Sequence, residues 1–353
     1  MRTVVALSGG VDSSVAAALL LEEGHDVVGV TLQQWPRGDE EESARHGGCC
    51  SLSAVEDARR VAALLGVPYY VWNLEREFGE RVIQPFHDAY RRGRTPNPCL
   101  RCNAFVRFDL MLRRVLALGF DALATGHYAR VLPGPDGPEL HAALDPAKDQ
   151  SYMLYHLDSE RLGRIRFPLG AMTKAEVRAT ARAIGLPVAD KRESMEICFV
   201  PRGETAGYLA RRLPVAVGEV VDGEGRVLGD HRGTGLYTVG QRTGLGQLRE
   251  PGPWYVTTVD AARNRLVVGR REELAVTSVE LEDVRFVDRS SAEAGPLQCE
   301  ARLRYRARAV PALYRDGVLE LGEPFSGAAP GQAAVMYRAS RVLGGGTIRA
   351  AAS

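Results

Sequence analysis

The chain has no run of eighteen or more apolar residues, so no stretch is long enough to cross a bilayer as a helix. Its start lacks the basic segment and small-residue cleavage site of a secretory signal, and the expected location is the cytoplasm. Six cysteines in 353 residues are too few for a disulfide scaffold. A reducing compartment argues the same way. Lysine is nearly missing: Lys148, Lys174 and Lys191 are the only three among 45 basic residues. A formal net charge of +1 excludes a chain dominated by one sign of charge. There is no fixed-period repeat and no low-complexity linker. A Walker A loop is also absent, because no lysine follows a G-x-x-x-x-G, and the N-terminal glycines do not spell G-x-G-x-x-G.

What is present, 45% hydrophobic and 25% charged residues, suits a globular enzyme of two or three domains. Up to about residue 205, short apolar runs alternate with helical patterns. Thr3 to Leu7, Asp26 to Leu32, Tyr69 to Leu74 and Ala122 to Thr125 read as strands; Ser13 to Glu23, Ala54 to Leu65, Arg107 to Leu118 and Lys174 to Ile184 read as helices. That alternation predicts an α/β domain with a parallel sheet covered on both faces. From about Gly207 the texture changes to hairpin strands, 218–223 and 225–229, and a Gly-rich stretch. After about Thr277, short alternating strands with Gly and Pro turns predict a β-barrel. The expected domains are 1–205, 206–275 and 276–353.

Between the first strand and the first helix stands Ser8-Gly9-Gly10-Val11-Asp12-Ser13-Ser14. Glycines at a helix start let backbone N–H groups approach an anion, and phosphate is the natural ligand. The plainer alternative is a glycine turn with Ser13 or Ser14 capping the helix.

S-G-G-x-D-S resembles the loop of the PP-loop ATP pyrophosphatases, which split ATP into AMP and pyrophosphate to adenylate a carbonyl oxygen. More of the chain carries a narrower resemblance. TPNP-x-x-x-CN, ATGHYAR (124–130), DPAKDQSYML (145–154), FPLG (167–170), ESMEICF (193–199), YTVGQRTGLG (237–246) and RYR (304–306) stand in the order found in the bacterial tRNA-specific 2-thiouridylases. That resemblance implies a PP-loop domain, a small central domain and a C-terminal β-barrel. It implies ATP-dependent replacement of the C2 oxygen of the wobble uridine, position 34 of tRNA, by sulfur. The implied acceptors are lysine, glutamate and glutamine tRNAs, with sulfur drawn from a cysteine desulfurase or a carrier protein. A monomer is expected.

Carried over residue by residue, the resemblance implies ATP contacts at Ala6, Leu7, Ser8, Gly9, Gly10, Val11, Asp12, Ser13, Leu32 and Gly126, with Asp12 acting through Mg²⁺. Cys198 matches the persulfide-bearing cysteine and Cys102 its partner thiol. Asn97, Pro98 and position 99 match the target-base wall. His127, Lys148, Asp149, Gln150, Arg304, Tyr305, Arg306 and Gln332 match tRNA contacts. Arginine-rich stretches agree: seven arginines face two acids from Asp88 to Arg114, and eight face four from Cys299 onward. Genome bias toward arginine is the plainer account of both.

One position departs from the family pattern. Cys99 stands where the well-described members carry Asp, so D-x-x-C becomes C-x-x-C. Cys99, Cys102 and Cys198 then form a three-thiolate set for a 4Fe-4S cluster with one open iron. Persulfide transfer through Cys198 and Cys102 and the cluster route both stay open, with Cys99 tipping the balance toward the cluster. A structural zinc would need a fourth ligand that the sequence does not pair with them. Cys49 and Cys50 are left outside the site, and Cys299 reads as a small buried group in a barrel strand. Two other classes compete: an argininosuccinate-type ligase, which needs no paired thiols, and a non-catalytic RNA-binding protein, which needs no intact loop.

Overall fold

Five short segments, β1 (Arg2–Ala6), β2 (Asp26–Gln33), β3 (Tyr69–Asn73), β4 (Ala122–Ala124) and β7 (Ile165–Arg166), pair in parallel in the order β3-β2-β1-β4-β7. The structure is a computed structural model and describes residues 1–34, 52–191, 197–200, 203–288, 290–291 and 295–353. It divides into two units: Met1–Val82, Cys99–Gly203 and Ser340–Val342 form the first, and Ile83–Pro98, Glu204–Ala339 and Leu343–Ser353 the second.

In the first unit, consecutive residues of β1 are buried, as a strand covered on both faces requires. The helix α1 (Val11–Glu22) contributes to two apolar clusters. Val15 and Ala16 pack with Leu169, Val177 and Ala181, while Ala17 and Leu20 pack with Val5, Val27 and Ala58. Its alanines allow close neighbours on either side, which is why the helix is apolar nearly all round. The strand order changes direction at β1, with β2 and β3 to one side and β4 and β7 to the other. Such a switch point opens a crevice at the carboxyl ends of the central strands.

Sequence periodicity and structure agree closely at the helix Lys174–Ile184, whose bounds coincide with the expected ones. They differ after the double-proline loop. Helix was expected from Arg107, but helical backbone begins at Pro98, runs through Arg101, and continues as a π-helical stretch over Cys102–Met111 into Leu112–Ala117. Proline at the first turn needs no N–H partner and starts the helix early. A hairpin, β5 (Ala129–Gly134) with β6 (Gly137–Ala142), also belongs to this unit.

In the second unit, β8 (Gly218–Val221) and β9 (Val227–His231) form the expected hairpin. Asp222 shapes the turn by accepting from the backbone N–H groups of Glu224 and Arg226. They join β10 (Tyr255–Asp260) and β11 (Arg265–Gly269) in a four-stranded sheet. The C-terminal strands are β12 (Ala275–Phe286), β13 (Leu297–Arg302), β14 (Val310–Arg315), β15 (Val318–Ser326), β16 (Ala333–Arg338) and β17 (Arg341–Ala352). Their order β12-β15-β14-β13-β16-β17, with β12 pairing β17, closes a six-stranded barrel. Its interior is apolar, from Val279 to Ile348. Cys299 lies partly buried in β13, where burial pushes its thiol up to about 11.

Candidate active site

The crevice of the first unit is built from the ends of β1, β2 and β4. Leu7 continues the pairing of β1 by donating its N–H to Val30 O at 2.9 Å, and Thr31 Oγ1 donates to Leu7 O at 2.6 Å. The chain then turns at Gly9, where φ is +68° and a methyl group would lie 2.1 Å from Ala54 O, so only glycine fits. Gly10 is the N-cap of α1 in extended conformation and offers no capping side chain. The serines after it organise the loop itself. Ser13 Oγ accepts from Ser8 N and donates to Gly10 O, both at 3.1 Å, and Ser14 Oγ donates to Gly10 O at 2.9 Å. Free N–H groups at the start of a twelve-residue helix therefore face an uncapped space suited to an anion.

Gly126, just past β4, closes against this loop. A methyl group there would lie 2.7 Å from Asp12 C and from Ser13 N, so the end of β4 and the start of α1 touch as bare backbone. Asp12 is half-exposed, and its Oδ1 accepts from Tyr128 OH at 2.7 Å and from Lys174 Nζ at 2.6 Å. A single carboxylate beside phosphate-accepting backbone is the donor set Mg²⁺ uses with nucleotides, completing its shell with phosphate oxygens and water. Lys191 Nζ donates to Gly9 O at 2.9 Å and pairs with Asp57 at 2.5 Å.

The second edge of the site comes from β2. Gln34, immediately after that strand, donates its Nε2 to Cys102 Sγ at 3.6 Å, and both residues are buried. The thiol thus stands at the carboxyl edge of the same sheet that carries the glycine loop. Cys99, one turn earlier, and Cys198 are each partly exposed. Phe199 meets Phe78 edge to face at 5.9 Å, which fastens the turn bearing Cys198. Among the described residues no three His, Cys, Asp or Glu side chains converge as a metal-holding group. Cys49 and Cys50 lie outside the described residues, as does the Glu193–Glu196 part of the ESMEICF block.

These sequences have counterparts. A family profile described as "tRNA methyl transferase HUP domain" matches residues 1–202, a "tRNA methyl transferase PRC-barrel domain" profile matches 206–270, and an "Aminomethyltransferase beta-barrel domain" profile matches 276–348. A tRNA-specific 2-thiouridylase MnmA of Geobacter metallireducens is 49% identical over 360 residues, covering 99% of this chain and 97% of that protein. One from Acidothermus cellulolyticus is 49% identical over 358 residues, covering 99% and 97%. The Chloroflexus aurantiacus protein of the same name is 49% identical over 355 residues, covering 98% of each. The chain belongs to the tRNA-specific 2-thiouridylase family.

The family positions fall into three groups. Ala6 to Ser13, Leu32 and Gly126 come together at the crevice, with Leu32 buried beneath it. His127, Asp149 and Gln150 serve the interior of the first unit. His127 packs against Phe108 and Phe167, its Nδ1 is 2.7 Å from Thr125 Oγ1, and burial drives its ring down to about 3, so the imidazole is neutral. Asp149 accepts from Ala143 N and Ser151 N, and Gln150 Oε1 accepts from Tyr128 N at 3.0 Å, which holds the residue that holds Asp12. Lys148 is half-buried on the same loop.

The third group lies in the second unit. Arg304 and Arg306 are exposed and flank Tyr305, with the Arg306 guanidinium 5.3 Å from its ring centre. Gln332 Nε2 donates to Thr95 O at 2.8 Å, Thr95 N donates to Pro330 O, and Arg94 pairs with Glu282. The residues just before Asn97 and Pro98 are therefore tied to the barrel strands. Sequence reasoning missed Gln34, Tyr128, Lys174 and Lys191. The last two carried a signal in lysine's scarcity.

Proposed function

We propose that the chain is an ATP-dependent tRNA 2-thiouridylase acting on the wobble uridine. One observation carries the reading: the glycine loop after β1 and the Gln34-held Cys102 beside β2 share the carboxyl edge of one sheet. Nucleotide cleavage and sulfur chemistry are thereby set side by side. Glycine loop and thiols serve those two steps, whereas methyl transfer, named in the N-terminal profile, uses neither.

The chemistry follows from the groups. The C2 oxygen of uridine is a poor leaving group. Attack of O2 on the α-phosphate of ATP expels pyrophosphate and leaves O2 as part of AMP, which departs readily. The loop N–H groups and Ser8 to Ser13 hold the phosphates, and Asp12 is the residue that would hold Mg²⁺, which supplies charge neutralisation when bound. Cys198 carries the incoming sulfur as a persulfide received from a cysteine desulfurase or carrier protein. Its terminal sulfur attacks C2 and AMP leaves. Cys102 thiolate then attacks the Cys198 sulfur, which breaks the S–S bond, frees the 2-thiouridine and leaves a Cys102–Cys198 disulfide for cellular thiols to reduce. Cys99 occupies the base wall with Asn97 and Pro98. Arg304, Tyr305, Arg306 and the arginines of 88–114 meet tRNA phosphate and bases. The division 1–205, 206–275 and 276–353 assigns catalysis to the first part and RNA binding to the barrel. The protein works as a cytoplasmic monomer on lysine, glutamate and glutamine tRNAs.

The test combines ATP, tRNA and a persulfide donor with iron-free protein, reading AMP release and 2-thiouridine by mass spectrometry. Wild type should form both; Asp12→Ala should form neither while still binding tRNA; Cys198→Ser should form no 2-thiouridine. AMP release by Asp12→Ala at the wild-type rate, or thiolation that requires iron, would overturn this mechanism.

A further inference from the structure

Three lysines survive in a chain that otherwise uses arginine, and two of them reach the glycine loop. Ion pairs elsewhere in the first unit, such as Arg81–Asp109 and Arg182–Asp190, are made by arginine, whose planar fork matches a carboxylate better than an ammonium does. A bridge kept only for stability would be expected to follow that habit. Lys174 is also misplaced by helix preference. It is the first residue of Lys174–Ile184, where the helix dipole disfavours a cation and favours an acid. A local rule broken at a buried position beside a ligand loop marks function more often than packing.

We propose that Lys174 is a further residue of the nucleotide site, which contacts the β- and γ-phosphates of ATP. This inference rests on the ATP reading above. The ammonium lies 2.6 Å from Asp12 Oδ1, within the first turn of α1, and its side chain is only 13% exposed. A triphosphate arriving at that turn meets the Asp12 carboxylate as a like charge, and an adjacent ammonium cancels it.

The backbone around Lys174 is fixed by its own contacts, apart from the ammonium's pairing with Asp12. Its backbone N–H is held by Asp145 Oδ2 at 3.0 Å, and Thr173 and Glu176 form a capping box at the helix start. The four-carbon stem between that anchor and the charge is flexible. Asp12 Oδ1 keeps the Tyr128 hydroxyl if the ammonium turns to phosphate. The loop does not depend on Lys174 for its shape, because Lys191 fixes Gly9 O, and Ser13 and Ser14 fix Gly10 O. Holding Gly9 O also aims the Gly10 N–H the opposite way, since the peptide is trans.

Equilibrium binding of ATP and of AMP to the full-length protein separates a phosphate contact from a structural bridge. For Lys174→Gln, loss of a charge-assisted contact should raise the ATP Kd about ten- to a hundredfold. The AMP Kd should stay within about twofold, because AMP lacks the outer phosphates. Equal weakening of both nucleotides, or no change in either, would overturn the proposal. Should Lys174→Gln fail to fold, Lys174→Met keeps the packing of the stem without the charge and is expected to lose the ATP-over-AMP preference; an unchanged preference overturns the proposal equally. Wild type that binds no ATP would instead bring down the ATP reading, and this proposal with it.

Discussion

His127 illustrates how a residue matched by motif acquires a physical meaning only from its surroundings. Its ring is enclosed by Phe108 and Phe167, and burial, followed by Arg107 and His156, lowers its proton affinity to about 3. The unfolded chain binds that proton near its ordinary value of 6.5. Between those two values the unfolded state takes up a proton that the folded state refuses, so stability falls as pH falls through the window. His87 and His231 are lowered too, by burial first, and act in the same direction. His127→Gln should therefore show a shallower loss of Tm between about pH 7 and about pH 5 than wild type. Parallel Tm curves for the two proteins would show that the ring is not buried as described.

At the scale of elements, the site depends on where helices begin. α1 starts without a capping side chain. The helix Lys174–Ile184 starts the opposite way, with Thr173 Oγ1 accepting from Glu176 N and Glu176 Oε2 accepting from Thr173 N, and it ends at Gly185 in the left-handed region. One helix is thus finished by its own residues and the other is left without a side-chain cap. Thr173→Ala should cost about 1 kcal/mol in a denaturant titration. A loss of less than a few tenths would mean that solvent satisfies those groups equally well. Strand and helix positions among the described residues of 1–74 were legible from apolar periodicity to within about two residues, and in β1 and β2 runs of buried residues mark strands packed on both faces. The helix from Pro98 was not, since Cys-Leu-Arg-Cys-Asn has no period to read and its start is set by proline and by packing of Cys102, Val106 and Phe108.

Across the whole molecule, charge is nearly balanced, yet it is unevenly spread along the chain. Arginines 91, 92, 94, 101, 107, 113 and 114 form one run, and those from Arg302 to Arg349 another. If these meet RNA phosphate, counterion release makes tRNA affinity fall at least about tenfold between roughly 50 and 200 mM salt. Fluorescence titration over that range measures it. A flat response would return the arginines to composition alone.

The sequence by itself pointed the first loop toward phosphate, beside the plainer reading of a serine-capped glycine turn, and only the structure shows that no side chain caps α1. The sequence also determined the α/β and all-β halves, since periods of 3.6 and 2 are local properties of the chain. Only the tertiary structure decided that Gln34 reaches Cys102, that Gly126 meets Asp12 as bare backbone, and that Lys174 sits on that carboxylate. Those pairs are separated by 68, 114 and 162 positions, and no local pattern encodes which distant strand ends come together. Which of Cys99, Cys102 and Cys198 meet is likewise a property of packing, which their spacing along the chain does not encode.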